Sequence, residues 1–147
     1  MKNWEVLLRE GLCIPTLLWL AWQDIRHLGI TGKGLVVASG LLLLGGWFGE
    51  VGWQSRLGGA FVGVFLLLFA YFSKEAIGMA DGVIVLVSGI AFGMLETVTF
   101  CFFAAVYTGA VSTVLLLLKK AGRKTRIPFF PFLFLGYITM RVLVWTM

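Results

Sequence analysis

The sequence predicts an all-α integral membrane protein, a bundle of about six transmembrane helices with both termini outside. Hydrophobic residues make up 60% of the chain and charged residues only 13%, and the mean hydropathy is +0.98. A water-soluble domain needs far more polar surface than that. The apolar residues fall into six runs divided by short polar or glycine-bearing stretches. The basic residues collect in alternate connections between those runs. One integral-membrane domain over residues 1–147 is the natural reading of this length.

The first run extends from Val6 to Trp22. Arg9 and Glu10 lie in its early turns, where long side chains snorkel to an interface, and Pro15 predicts a kink or an early turn. Mixed charges before the run and no small-residue cleavage site after it speak against a cleaved signal segment. Gln23-Asp24-Ile25-Arg26-His27 ends it, and Ile30 to Lys33 reads as a loop, with Gly29, Gly32 and Gly34 as breakers. The second and third runs are Gly34–Phe48 and Leu57–Phe72. Trp47 and Trp53 flank the loop between them, as aromatics of a headgroup belt do. Ser73 to Ala80 is the next loop. The fourth run, Gly82 to about Phe92, is too short to span ~30 Å of hydrocarbon, which takes ~20 helical residues. Either Asp81 lies below the membrane surface or the bilayer thins locally. The fifth run, Thr97–Leu118, is full length. It leads into the one charge run, Lys119 to Arg126, and the last run goes from Pro128 to about Trp145.

Charge sets the expected topology. The connections holding Arg26, Lys33, Lys74, Lys119, Lys120, Arg123, Lys124 and Arg126 carry eight of the 12 basic residues. The positive-inside rule places them in the cytoplasm and both termini outside. The net charge of +5 then serves topology and lipid headgroups, so membrane lipids are expected partners and nucleic acid is not. Cys13 and Cys101 both fall in apolar runs and read as small buried hydrophobes. No CxxC pair exists, which excludes a zinc site on ligand count, and no metal or cofactor is expected.

The chain has two aspartates, Asp24 and Asp81, and the topology brings both to the cytoplasmic face. A carboxylate at the edge of an apolar run is a functional-site candidate. Two carboxyl groups sharing a site do not both ionise cheaply, so one keeps a proton. That is the working state of an aspartic protease: the carboxylate takes a proton from water and the acid polarises the scissile carbonyl. Gly78 and Gly82 would let the backbone turn sharply beside Asp81 and approach substrate closely. The structural alternative makes Asp81 the N-cap of the fourth helix and Asp24 an ion-pair partner of Arg26 or Lys33.

Asp24-Ile25-Arg26-His27-Leu28-Gly29-Ile30 resembles the first catalytic motif, D-x-R-x-x-x-I, of type IV prepilin peptidases. Gly78-Met79-Ala80-Asp81 resembles the GxGD motif with their second aspartate. Ile127-Pro128-Phe129-Phe130-Pro131-Phe132-Leu133-Phe134-Leu135-Gly136 is similar to the I-P-F-x-P-F-L-x-x-G signature that opens their final helix. The resemblance implies an intramembrane aspartic endopeptidase that removes a short basic leader from prepilin-like proteins, cutting after a glycine at the cytoplasmic face. It implies Asp24 and Asp81 as catalytic and Arg26, Gly78, Ala80, Gly82 and Pro128 as shaping the site or binding substrate. The chain departs from the pattern at Ala80 (glycine in the motif), Thr31 (commonly proline) and Val83 (commonly lysine). It also has no room for the cysteine-rich insert of larger members, so cleavage without N-methylation is expected.

Ala80 and Val83 support a second reading, a catalytically silent relative that assists assembly of pilin-like helices. A third is a small transporter using the two aspartates as a proton relay. His27, the one histidine, reads as a headgroup-facing loop residue. Glu75 reads as a solvated charge beside Lys74, and Met79 and Phe129 to Phe134 as packing.

Overall fold

The computed structural model describes residues 3–27, 32–72, 79–119 and 129–146. Within them the chain forms six helices: α1 Asn3–His27, α2 Gly32–Trp47, α3 Trp53–Phe72, α4 Met79–Phe92, α5 Met94–Leu117 and α6 Phe130–Thr146. Each apolar run becomes one helix, as predicted. By length and composition α3 and α5 are each able to cross a bilayer. At 14 residues, α4 rises only about 21 Å, as its short run predicts.

The helices are longer than the runs. α1 continues through Gln23 to His27 instead of ending before them, because polar residues without glycine or proline do not stop a helix. Pro15 lies inside α1 without ending it. Gly32 and Gly34, expected as breakers, are helical, and Gly34 is buried in the first turn of α2. α3 takes up Trp53 to Arg56, and α5 takes up Met94 to Glu96. The α4–α5 break falls at Gly93, whose φ of 88° requires glycine; a side chain there would also strike the Ser55 hydroxyl and Val51.

Contacts between the helices fix their directions. Gly45 at the end of α2 packs on Cys13 near the start of α1, so these two are antiparallel. Gly46 packs on Ala91, which puts the ends of α2 and α4 side by side. Gly59 meets Gly89, Gly63 meets Leu86 and Gly82 meets Leu67, so α3 and α4 run antiparallel at close range. Gly136 of α6 abuts Phe100 and Ala104 of α5. Small residues at these crossings let backbones approach where no hydrophobic force separates a helix from lipid. The chain ends therefore share one end of the bundle. The end of α1 and the starts of α2, α4 and α6 share the other.

The core includes Leu17, Leu20, Ile84, Val85, Leu133 and a cluster of three rings. Phe92, Phe100 and Tyr137 stand with centroids 5.6–6.4 Å apart, within the range of favourable ring pairs. Outward faces are apolar: Phe61, Phe65 and Phe69 of α3 repeat at one-turn spacing and are all exposed.

A buried ionic network ties the end that holds the termini. Arg9 and Glu10, expected to snorkel, are only 2% and 7% exposed. Arg9 pairs with Glu96 and lies over the Phe92 ring. Arg141 pairs with Glu10 at 2.8 Å and Glu96 at 3.2 Å. The Arg141 Nε–H donates to the Tyr137 hydroxyl, which donates to Glu10. Snorkelling fails here because an opposite charge waits inside for each, Glu96 of α5 for Arg9 and Arg141 of α6 for Glu10. Nearby, Arg56 donates to the carbonyls of Gly46, Gly49, Val51 and Ile90, closing the ends of α2 and α4, while Ser55 accepts the Met94 N–H at the start of α5.

Candidate active site

Asp24 lies in the last turn of α1. It occupies the stripe formed by Cys13, Leu17, Leu20 and Ala21, spaced at three and four residues, so it faces inward and is 7% exposed. Its Oδ2 accepts a hydrogen bond from the backbone N–H of Phe130, the first residue of α6, at 3.2 Å. The side chains of Glu10 on α1 and Arg141 on α6 meet again at the far end. α6 thus runs the length of α1 and delivers its N-terminus to the carboxylate.

Asp81 is the third residue of α4 and partly buried. It is inside the first turn and not its N-cap, because the helix begins three residues earlier than the apolar run. The dipole of α4 favours a carboxylate there. Because α1 runs against α2 and α2 runs with α4, Asp24 and Asp81 lie at the same end of the bundle. This agrees with the juxtaposition expected from charge.

The remaining predicted positions divide. Ala80 is helical, so its φ is negative, and its methyl packs against the core. Gly82 is buried and makes no turn; a side chain there would strike Leu67 of α3. Its part is to let α4 lie close to α3 directly after Asp81, not to bend the chain. Arg26 is exposed, with its guanidinium over the Trp22 ring at 5.5 Å. Gly78, Pro128, Lys74, Glu75, Thr31, the run from Lys120 to Arg126 and the side chain of His27 lie outside the described residues.

Sequence reasoning missed Phe130 as a partner of Asp24, having read it as packing. The signal was present in Phe129-Phe130-Pro131-Phe132. Phe129 accepts the N–H groups of Phe132 and Leu133, each at 3.0 Å, and Pro131 has none to offer. Of the first three helical residues, Phe130 is the one whose N–H is left to point outward.

Among the described residues no group of three or more His, Cys, Asp or Glu side chains is arranged to hold a metal ion. A buried and a partly buried carboxyl group at the same end of a helical bundle suit acid–base chemistry.

The family model of the type IV leader peptidase family matches residues 11–114. That is well over half of the chain and includes both Asp24 and Asp81. The chain belongs to this family. No curated protein matches it, and no solved structure matches it.

Proposed function

We propose that this type IV leader peptidase family member is an intramembrane aspartic endopeptidase with Asp24 and Asp81 as its catalytic pair. Its substrate is a prepilin-like protein, whose short basic leader it removes after a glycine at the cytoplasmic membrane face. The observation that carries the reading is the delivery of both aspartates to one end of the bundle, by helices whose order and direction are otherwise unrelated to charge. The family match supports peptidase activity, and the apolar outer faces support residence in the membrane. In the proposed setting the bundle is multi-pass in the cytoplasmic membrane. Both termini lie outside, and the Arg26–Lys33 and Lys119–Arg126 connections lie inside, where lipid phosphates meet them.

The chemistry is hydrolysis by a proton-sharing pair. One carboxylate takes a proton from water as the water oxygen bonds to the scissile carbonyl carbon. The other carboxyl group gives its proton to the carbonyl oxygen. The resulting diol collapses as the C–N bond breaks, the first group passing its proton to the leaving nitrogen and the second recovering one from the diol. No metal or cofactor enters. Gly82 holds α4 against α3, and Ala80, Arg26, Gly78 and Pro128 are proposed to shape the site around the leader. This single domain carries no methylation insert, and cleavage without N-methylation is the proposed outcome.

Co-expression with a prepilin-like substrate tests the reading. Asp24→Asn and Asp81→Asn keep size and polarity but neither takes nor shares a proton, so each should lower cleavage by at least ~10²-fold while the protein still inserts. Cleavage at the wild-type rate by either variant removes that residue from the pair. No cleavage by the wild-type chain, of a substrate that another family member processes, would favour a non-catalytic assembly role.

A further inference from the structure

We propose that the N-terminus of α6 is a positioning element for Asp24, acting through one atom pair, the Phe130 N–H and the Asp24 Oδ2. This rests on the peptidase reading above. The bond is buried and 3.2 Å long, and it joins residues 106 apart in the chain. Phe130 lies beyond the residues that the family model matches. A donor to the ionised carboxylate favours that form, and the start of a helix dipole adds to it. α6 thereby fixes the direction of one of the Asp24 oxygens.

The local sequence is built for a single donor. Phe129 closes the first turn by accepting from Phe132 and Leu133. Pro131 brings no N–H to compete for Asp24. Phe130 itself is 2% exposed, so its ring anchors the amide in place. Among the described residues, other charges at this end are Arg26 on α1, seated over Trp22, Lys33 in the first turn of α2, Asp81 on α4 and Lys119 just past the end of α5. From α6 itself, residues 130–136 bring no titratable side chain. Any acid-side change on altering the Phe130 amide is thus separable from changes at a side chain of α6.

The test compares three proteins with the wild type in proteoliposomes, reading the pH dependence of leader cleavage. Phe130→Pro removes the N–H at the first helical position, where proline is best tolerated. Phe130→Ala removes the same ring but keeps the N–H. An ester link at position 130, made by incorporating the α-hydroxy analogue of phenylalanine, removes the N–H and keeps the ring. It serves if Phe130→Pro does not fold. The expected result is an acidic limb moved about one pH unit toward neutral in the proline and ester proteins and unmoved in Phe130→Ala. The sign follows from the base: losing a donor makes the carboxylate easier to protonate, so activity is lost at a higher pH. Reduced rates with an unmoved acidic limb in both N–H-deleted proteins would overturn the proposal and leave a purely structural cap. Activity retained by Asp24→Asn would instead overturn the peptidase pair itself, a separate outcome.

Discussion

Gly59 of α3 and Gly89 of α4 face each other backbone to backbone: a Cβ on either would overlap the other's carbonyl. This mutual contact brings α3 and α4 close together, about 12 Å along α4 from Asp81 at 1.5 Å per residue. Gly59→Ala and Gly89→Ala must each push α3 and α4 apart. Each should destabilise the protein by roughly 1–3 kcal/mol, the range of overpacked cores. Gly40 has open space where its Cβ would stand, so Gly40→Ala should be neutral or slightly stabilising. Thermal unfolding in detergent distinguishes them. Equal melting temperatures for all three would mean that the close crossing is not maintained.

The ionic network at the other end makes a different demand. Arg141→Met leaves Glu10 buried with a charge and no guanidinium, and breaking a buried pair in this way costs about 3–5 kcal/mol. Tyr137→Phe deletes the hydroxyl that bridges Arg141 to Glu10 and should cost about 1–3 kcal/mol. Both variants should lose stability while the folded fraction still cleaves at a near-normal rate, because Glu10 and Asp24 stand some 21 Å apart along α1 at 1.5 Å per residue. Cleavage per folded molecule, measured beside the melting temperature, checks this. A large loss of turnover without loss of stability would assign the network a part in the reaction.

At Ala80 a small effect is expected. The residue is helical with negative φ, so its methyl causes no backbone strain. Ala80→Gly should destabilise by about 0.5–1 kcal/mol and leave initial cleavage rates close to those of the wild type. A rise above about tenfold, equal to ~1.4 kcal/mol of barrier, would show that the methyl obstructs the site and that this lineage is losing activity.

Topology is open to labelling. Cysteine introduced by Lys33→Cys, in the exposed first turn of α2, should react with an impermeant reagent only from the cytoplasmic side. Glu50→Cys, between α2 and α3, should react only from outside. The opposite pattern would place the aspartates away from any cytoplasmic leader and end the peptidase reading as stated.

The six helices and the shared end of Asp24 and Asp81 were legible from the chain alone. Apolar runs divided by polar or glycine-bearing stretches read as helices, and alternate basic loops imply alternate directions. The inward orientation of Asp24 was legible as well, in the spacing of Cys13, Leu17, Leu20 and Asp24. The same spacing extended back to Arg9 would have placed that arginine inside. Snorkelling was the natural reading only because its partner Glu96 is 87 residues away in sequence.

Sequence by itself determined that there are six helices, one to each apolar run, and which ends carry the charge, because these follow from local composition and period. Only the tertiary structure decided that Gly82 serves helix approach and not a turn, that Arg9 and Arg141 are buried, and that the Phe130 amide meets Asp24. Each of these depends on an atom supplied by a distant helix: Leu67 for Gly82, Glu96 for Arg9, and the start of α6 for Asp24. Local pattern specifies what a residue can offer. Which offer is taken is set by the crossings of α1, α5 and α6, where a buried charge or donor survives only beside a partner that satisfies it.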